Sequence, residues 1–309
     1  MRLPSRFSVR EFAAMQKRQG WFLPYIPALC AALLLAGCST SYNGERWFWK
    51  AQHLQASIGK DLSHATPEQL TKLIDAFDLV TKKAPGTVWA ARAEGMVGSL
   101  YIVQKQYEKA RNAFTTVIRE YNQYQDVVLA ARLSIAKTYE SDHQWDEAVK
   151  VYQEISDYHP WSIIGLQAPL YVASRYEEQH KPELARATYD KALRLYTTRI
   201  PNAPSAEMAA QAKGYLAQAL EHLGRWDQAA KTLEEVLQVP HGSNRPLVLL
   251  ALGSIYQTKM QRPEKAVEMY RQLVREFPKH PYVKLATIQL QHLHATVIPQ
   301  PASPTPTTP

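Results

Sequence analysis

The most reactive side chains in the sequence are its 2 cysteines, Cys30 and Cys38. Cys38 follows Leu35-Ala36-Gly37, so its thiol sits where small neighbours let another protein reach the backbone. That arrangement suits covalent modification of the thiol. The 10 histidines offer less: no two of them stand at the i, i+4 spacing of one helix face. His292 and His294 are two apart, which a helix turns to different faces, so by ligand spacing no metal site is expected. GxGxxG, P-loop, GxSxG and HExxH signatures do not occur after Cys38. Glu140, Glu177, Glu178 and Glu221 fall on expected helices, where a solvated face explains them as well as catalysis does. The reading is a chain with no catalytic residues, no metal and no cofactor, which is not an enzyme.

What positions Cys38 is an export signal. Residues 1–20 carry Arg2, Arg6, Arg10, Lys17 and Arg18 against Glu11, and the apolar run WFLPYIPALCAALLLAG (21–37) follows. Pro24 and Pro27 interrupt the run, which is short for a membrane span. Leu35-Ala36-Gly37-Cys38 resembles the bacterial lipobox. The resemblance implies a signal peptide over 1–37, acyl chains (diacylglycerol and palmitate) on Cys38, and a lipidated tether over 38–46. Met15, before QKRQGWFL, is a more ordinary signal start than Met1. Cys30 leaves with the signal and Cys38 is acylated, so no thiol remains for a disulfide, a redox pair or zinc. The formal charge of +8 falls to about +4 for residues 38–309 once the signal is removed. In an exported chain that charge excludes a nucleic-acid partner.

The rest of the sequence repeats one pattern. QYEKARNAFTTVIREY, QWDEAVKVYQEISDYHP, KPELARATYDKALRLY, RWDQAAKTLEEVLQVP and RPEKAVEMYRQLVREFP align on Ala110, Ala148, Ala185, Ala229 and Ala266. Four residues on stand Phe114, Tyr152, Tyr189, Leu233 and Tyr270, and three further Val117, Ile155, Ala192, Val236 and Leu273. An acid two residues before each alanine lies in the first turn, where a helix N-terminus is electropositive. Upstream, Gly98, Ala136, Ala173, Ala217 and Gly253 precede Tyr101, Tyr139, Tyr176, Leu220 and Tyr256, the last displaced by one inserted residue. Each unit is therefore two amphipathic helices, A then B, with small residues where the pair approaches closely. The alanines are spaced 38, 37, 44 and 37 residues apart. A degenerate copy precedes them, with Leu73, Phe77, Val80 and Pro85 at the spacing of Ala148, Tyr152, Ile155 and Pro160.

This pattern resembles the tetratricopeptide repeat (TPR), over about residues 60–295. It lacks the helix-A tryptophan of that family's consensus and runs longer than its 34-residue period. The resemblance implies an all-α, right-handed superhelix of about five to six helical hairpins over residues 47–295, with helix A lining the concave face. Residues 281–295 are expected to cap it, and the proline-rich, uncharged 296–309 to be a disordered tail. Trp47, Phe48 and Trp49 are expected to belong to the first helix and pack on the first repeat, or to meet the membrane interface.

TPR concave faces bind peptides or helices. Carried over by offset from each alanine, the resemblance proposes Arg92, Ser99, Lys137, Glu140, Ser174, Glu177, Gln218 and Glu221 as partner-binding residues. The seven extra residues of the 44-residue step fall around YTTRIPNAPSAEM (196–208), where Pro201 and Pro204 stop a helix and predict a protruding loop. With its lipobox and repeats, the chain looks most like the BamD-type lipoproteins of the β-barrel assembly machinery. That likeness implies a periplasm-facing outer-membrane scaffold for envelope proteins, since Ser39 is not the aspartate that retains lipoproteins in the inner membrane. A pilotin for a secretin or a Tol–Pal-associated TPR lipoprotein has nearly the same sequence plan. The helical part of a cell-wall enzyme such as a lytic transglycosylase needs a further catalytic domain.

Overall fold

The computed structural model describes residues 25–239 and 244–297, with side chains over 40–239 and 244–293. Residues 1–24 of the expected signal and 298–309 of the expected tail lie outside the described residues, as does the side chain of Cys38. Every described element is helical. In chain order they are α1 (Tyr25–Ile58), α2 (Pro67–Lys83), α3 (Val88–Val103), α4 (Tyr107–Glu120), α5 (Gln125–Ser141) and α6 (Trp145–Tyr158). Then follow α7 (Ile163–Glu178), α8 (Pro182–Arg199), α9 (Ala206–His222), α10 (Trp226–Leu237), α11 (Arg245–Thr258), α12 (Pro263–Glu276) and α13 (Tyr282–Val297). The even-numbered helices from α2 to α12 are the B helices of the aligned copies, and α13 is the expected cap.

The chain divides into two compact units, Met1–Ala148 and Val149–Pro309. In the first, α1 through α5 pack in sequence, and the next-but-one contacts α1–α3 and α3–α5 join A helices. In the second, α7 through α13 pack in sequence, and α7–α9 and α11–α13 again join A helices. A helices thus lie on the inner side of each stack. Because each hairpin buries its apolar face against its neighbours, the core within each unit is divided into clusters. One holds Phe48, Leu73, Phe77 and Leu100, another Ala185, Tyr189 and Tyr196, and a third Leu233, Leu249, Leu252 and Tyr270.

The small residues of helix A have a steric cause. A Cβ on Gly98 would stand 2.7 Å from the Phe114 ring, and one on Gly253 would stand 2.3 Å from Tyr270. The repeat alanines are buried too, so each hairpin closes tightly at both faces.

The A-to-B turns share a geometry that residue types conceal. Lys105, His143, His180 and Gly224, each five residues before its alanine, have φ of 58°, 58°, 57° and 71°. The Lys105 N–H donates to the Ile102 carbonyl (2.8 Å) and the Gln106 N–H to Tyr101 (2.9 Å). His143 to Glu140 (3.1 Å) with Gln144 to Tyr139 (2.8 Å) repeats the pair, as do His180 to Glu177 and Lys181 to Tyr176 (2.9 Å each). These are Schellman closures, which satisfy the last carbonyls of helix A. The α11–α12 turn departs because its inserted residue lengthens it. There Gln261 holds the positive φ (52°), and the Arg262 N–H reaches six residues back to Tyr256 (2.8 Å).

One expectation changes. The extra residues of the 44-residue step do not protrude; they lengthen α8 to Arg199, and a 3₁₀ turn, Ile200–Asn202, leads to α9. The extension is packed: Tyr196 is fully buried and its hydroxyl donates to the Leu166 carbonyl. Arg199 Nη1 donates to Ser156 Oγ (2.9 Å) and Nη2 to Asp157 Oδ1 (3.1 Å). Pro201 and Pro204 still end the helix as expected. Residues 38–46, expected to tether the body to the lipid, are helical within α1. Gly44 is buried there, its Cβ position only 3.0 Å from Ala84 and 3.1 Å from Trp89, so the packed body begins close to Cys38.

Candidate functional site

The A helices of the first unit enclose a groove of about 430 Å³. Helix α1 contributes Phe48 and Gln52, α3 contributes Arg92, Gly95, Met96 and Ser99, and α5 contributes Asp126, Val127, Ala130, Ala131 and Ser134. Positions 92, 95, 96 and 99 form one face of α3 at helical spacing, which is why one stripe of sequence lines the site. Phe114 and Val117 of α4 form the floor, held there by the same packing that requires Gly98 opposite. The Arg92 guanidinium lies 5.2 Å from the Trp89 ring, which stabilises it by a cation–π contact. Ser99 Oγ donates to the Gly95 carbonyl (3.0 Å). The groove has an apolar floor and a rim of both charge signs, Arg92 and Asp126. Behind it, burial raises the Glu94 carboxyl above its ordinary range, and the charge of Asp78 adds to the effect.

Arg92 and Ser99 are thus brought together in one groove. Ala130, the equivalent of Arg92 one repeat on, lines it too. Lys137 is exposed and Glu140 half-buried further along α5, beyond the residues that line the groove. In the second unit, Ser174 Oγ donates to the Tyr171 carbonyl (2.9 Å). Gln218 is exposed and Glu221 half-buried, with the Glu221 carboxyl raised by burial. Glu177 joins a small cluster: it accepts the Tyr189 hydroxyl (3.2 Å) and stands 3.3 Å from His222 Nδ1. The His222 ring stacks on Tyr189 at 4.3 Å. Burial and then the Glu177 charge push the Tyr189 hydroxyl far above the usual phenol range. Sequence offsets missed Gln52, Asp126 and Ser134; the alanine alignment gave no register for α1, and on α5 both residues precede Lys137, the first position the offsets named there.

Two smaller spaces lie in the second unit. One of about 290 Å³ is lined by Leu247, Leu250 and Ser254 of α11 with Leu285 and Gln289 of α13. Tyr270 at its base donates to Gln257 Oε1 (3.0 Å), and burial pushes its hydroxyl up to about 12. The other, of about 110 Å³, lies between α6, α7 and α8 beside Pro169, with Lys191 Nζ donating to Gln153 Oε1 (2.8 Å) at its edge.

Residues 173–244 and residues 247–280 match two family models, each described as tetratricopeptide repeat. Both segments are tetratricopeptide repeats. They cover α8 to α12 with the end of α7, and the hairpins α3–α4 and α5–α6 before them share the alanine alignment and the Schellman turns, so the fold is a TPR-type stack of helical hairpins. No curated protein matches the chain. Among solved structures, a thermophilic TPR protein of Thermus thermophilus is 17% identical, over 67% of this chain and 100% of its own, with a TM-score of 0.44. The C-terminal part of a TPR repeat-containing protein from Cytophaga hutchinsonii is 14% identical, over 81% of this chain and 88% of its own, at 0.46. YrrB, described as a TPR protein with an unusual peptide-binding site, is 16% identical, over 72% of this chain and 99% of its own, at 0.37. TPR proteins generally bind protein partners, and the repeats suggest a protein-interaction scaffold.

Proposed function

We propose that the chain is a lipid-anchored scaffold of a bacterial envelope. In this reading Cys38 carries the acyl chains, the body faces the periplasm from the outer membrane, and the groove of α1, α3 and α5 takes up a partner's segment without catalysing a reaction. The observation that carries the binding half is the groove itself. Its apolar floor of Phe48, Met96, Phe114 and Val117 suits the apolar side chains of a peptide or helix, and Arg92 and Asp126 on the rim set register and orientation. The anchor half rests on Leu35-Ala36-Gly37-Cys38 and the preceding basic and apolar segments. The BamD-type resemblance makes the β-barrel assembly machinery the first partner to test.

Affinity purification from mildly solubilised membranes is the experiment, with the unaltered chain and Arg92→Glu side by side. The expected result is co-isolation of a β-barrel assembly protein that Arg92→Glu weakens at least several-fold. A secretin or Pal in its place would replace the partner assignment and keep the scaffold. Equal recovery from both chains would overturn the groove as the binding site.

A further inference from the structure

Helix α1 has two faces with different chemistry. Gly44, Phe48 and Ala51 turn inward; the Phe48 ring lies 5.7 Å from Phe77 and 5.5 Å from Trp89. The opposite face carries Tyr42, Arg46, Trp49 and His53 at the spacing of successive turns. Tyr42 and Trp49 are 69% and 55% exposed. That is expensive for two large rings on a helix that already has a core to pack against. The Trp49 and His53 rings lie 3.6 Å apart and tilted by 33°, and the His53 ring is tied to the Trp49 carbonyl at 3.0 Å, so the outward rings are held in place. Arg46 and Lys50 flank them, both exposed; Lys50 Nζ lies 4.2 Å from the Trp47 ring, and neither has an acidic partner among the described residues. Glu45 is the one acid on this face among the described residues.

We propose that this face of α1 is a second membrane contact, lying flat on an anionic lipid surface. The inference rests on the lipid-anchor reading and extends it: Cys38 stands one turn before Tyr42 on the same helix, and Trp49 is roughly 16 Å along the axis from Cys38. Acyl chains at Cys38 therefore hold the start of this face at the headgroups. Tyr and Trp prefer that depth because each joins an apolar ring to a polar handle. Arg46 and Lys50 outnumber Glu45 and attract anionic headgroups. Docked this way, the helix fixes the orientation of the first unit, and Gln52 at the groove edge comes close to the membrane surface.

Cysteine economy provides the test. The acylated chain, freed of its signal, has no free thiol, so Trp49→Cys and Tyr158→Cys each accept one nitroxide label. Each labelled protein is reconstituted on vesicles of phosphatidylethanolamine and phosphatidylglycerol, after mass spectrometry has confirmed the diacylglycerol on Cys38. The label at 49 is expected at headgroup depth, reached by oxygen more than by an aqueous nickel complex. The label at 158, also on an exposed site, is expected in water. Reversing both cations (Arg46→Glu with Lys50→Glu) is expected to lower the docked population about tenfold in anionic vesicles. A fully aqueous label at 49 in an acylated chain overturns the inference while leaving the anchor standing. Dipolar broadening between labels at 49 would assign the face to a second copy instead. A mass spectrum showing bare Cys38 removes the anchor, and the inference with it.

Discussion

Gly95 and Gly98 stand one turn apart on α3 and make a controlled pair. A Cβ added at Gly95 meets nothing within 4 Å, whereas one at Gly98 meets the Phe114 ring at 2.7 Å. Alanine is favoured over glycine in a helix by about 0.5–1 kcal/mol at either position. At Gly98 that gain is opposed by overpacking. The buried ring must retreat by roughly 1 Å to reach ordinary van der Waals distance, and such insertions cost about 1–3 kcal/mol. Gly95→Ala should therefore stabilise the chain by about 0.5–1 kcal/mol, and Gly98→Ala should destabilise it by about 1–2 kcal/mol. Urea unfolding followed by circular dichroism reads both, as midpoints moving in opposite directions at unchanged slope. Phe114→Leu in the Gly98→Ala background should recover most of the loss, since Leu233 stands opposite Ala217 in a natural copy of the hairpin. Equal shifts from the two alanines would refute the claim that helix-A glycines exist for close approach.

Gly224→Ala should cost about 1–2 kcal/mol because φ of 71° is left-handed, while Lys105→Gly and His143→Gly should each raise the unfolding midpoint slightly. Arg199→Ala leaves the buried Ser156 hydroxyl without its donor and should lower stability by about 1–3 kcal/mol, where a protruding loop would have tolerated the change. Glu221 has a carboxyl raised by burial, so its contribution to stability falls as pH rises from its unfolded value of 4.5 through its folded value. Glu221→Gln should accordingly raise the urea midpoint at pH 7 and lose that advantage below about pH 4; an equal gain at both would contradict burial as the cause.

How much was legible depends on how locally each feature is encoded. The hairpins were readable because Ala110, Phe114 and Val117, and their equivalents, record the same inter-helix contact at fixed spacing. The Schellman turns were not, since Lys105, His143 and His180 occupy a conformation that only Gly224 advertises. The packed extension of α8 was also hidden, because Tyr196 and Arg199 are anchored by Leu166, Ser156 and Asp157, 30 to 43 residues away. Arg92 and Ser99 were found because the TPR resemblance could be carried over at a fixed offset from Ala110. Asp126 and Gln52 needed three helices placed in space.

The groove is most directly tested by site-specific photo-crosslinking in the living cell. A photoreactive residue at Ser99, on the groove, is compared with one at Glu108, exposed at the start of helix B in the same hairpin. One discrete protein adduct from position 99 and none from 108 is the result predicted. Adducts from 108 alone would place binding on the outer helices and contradict the account.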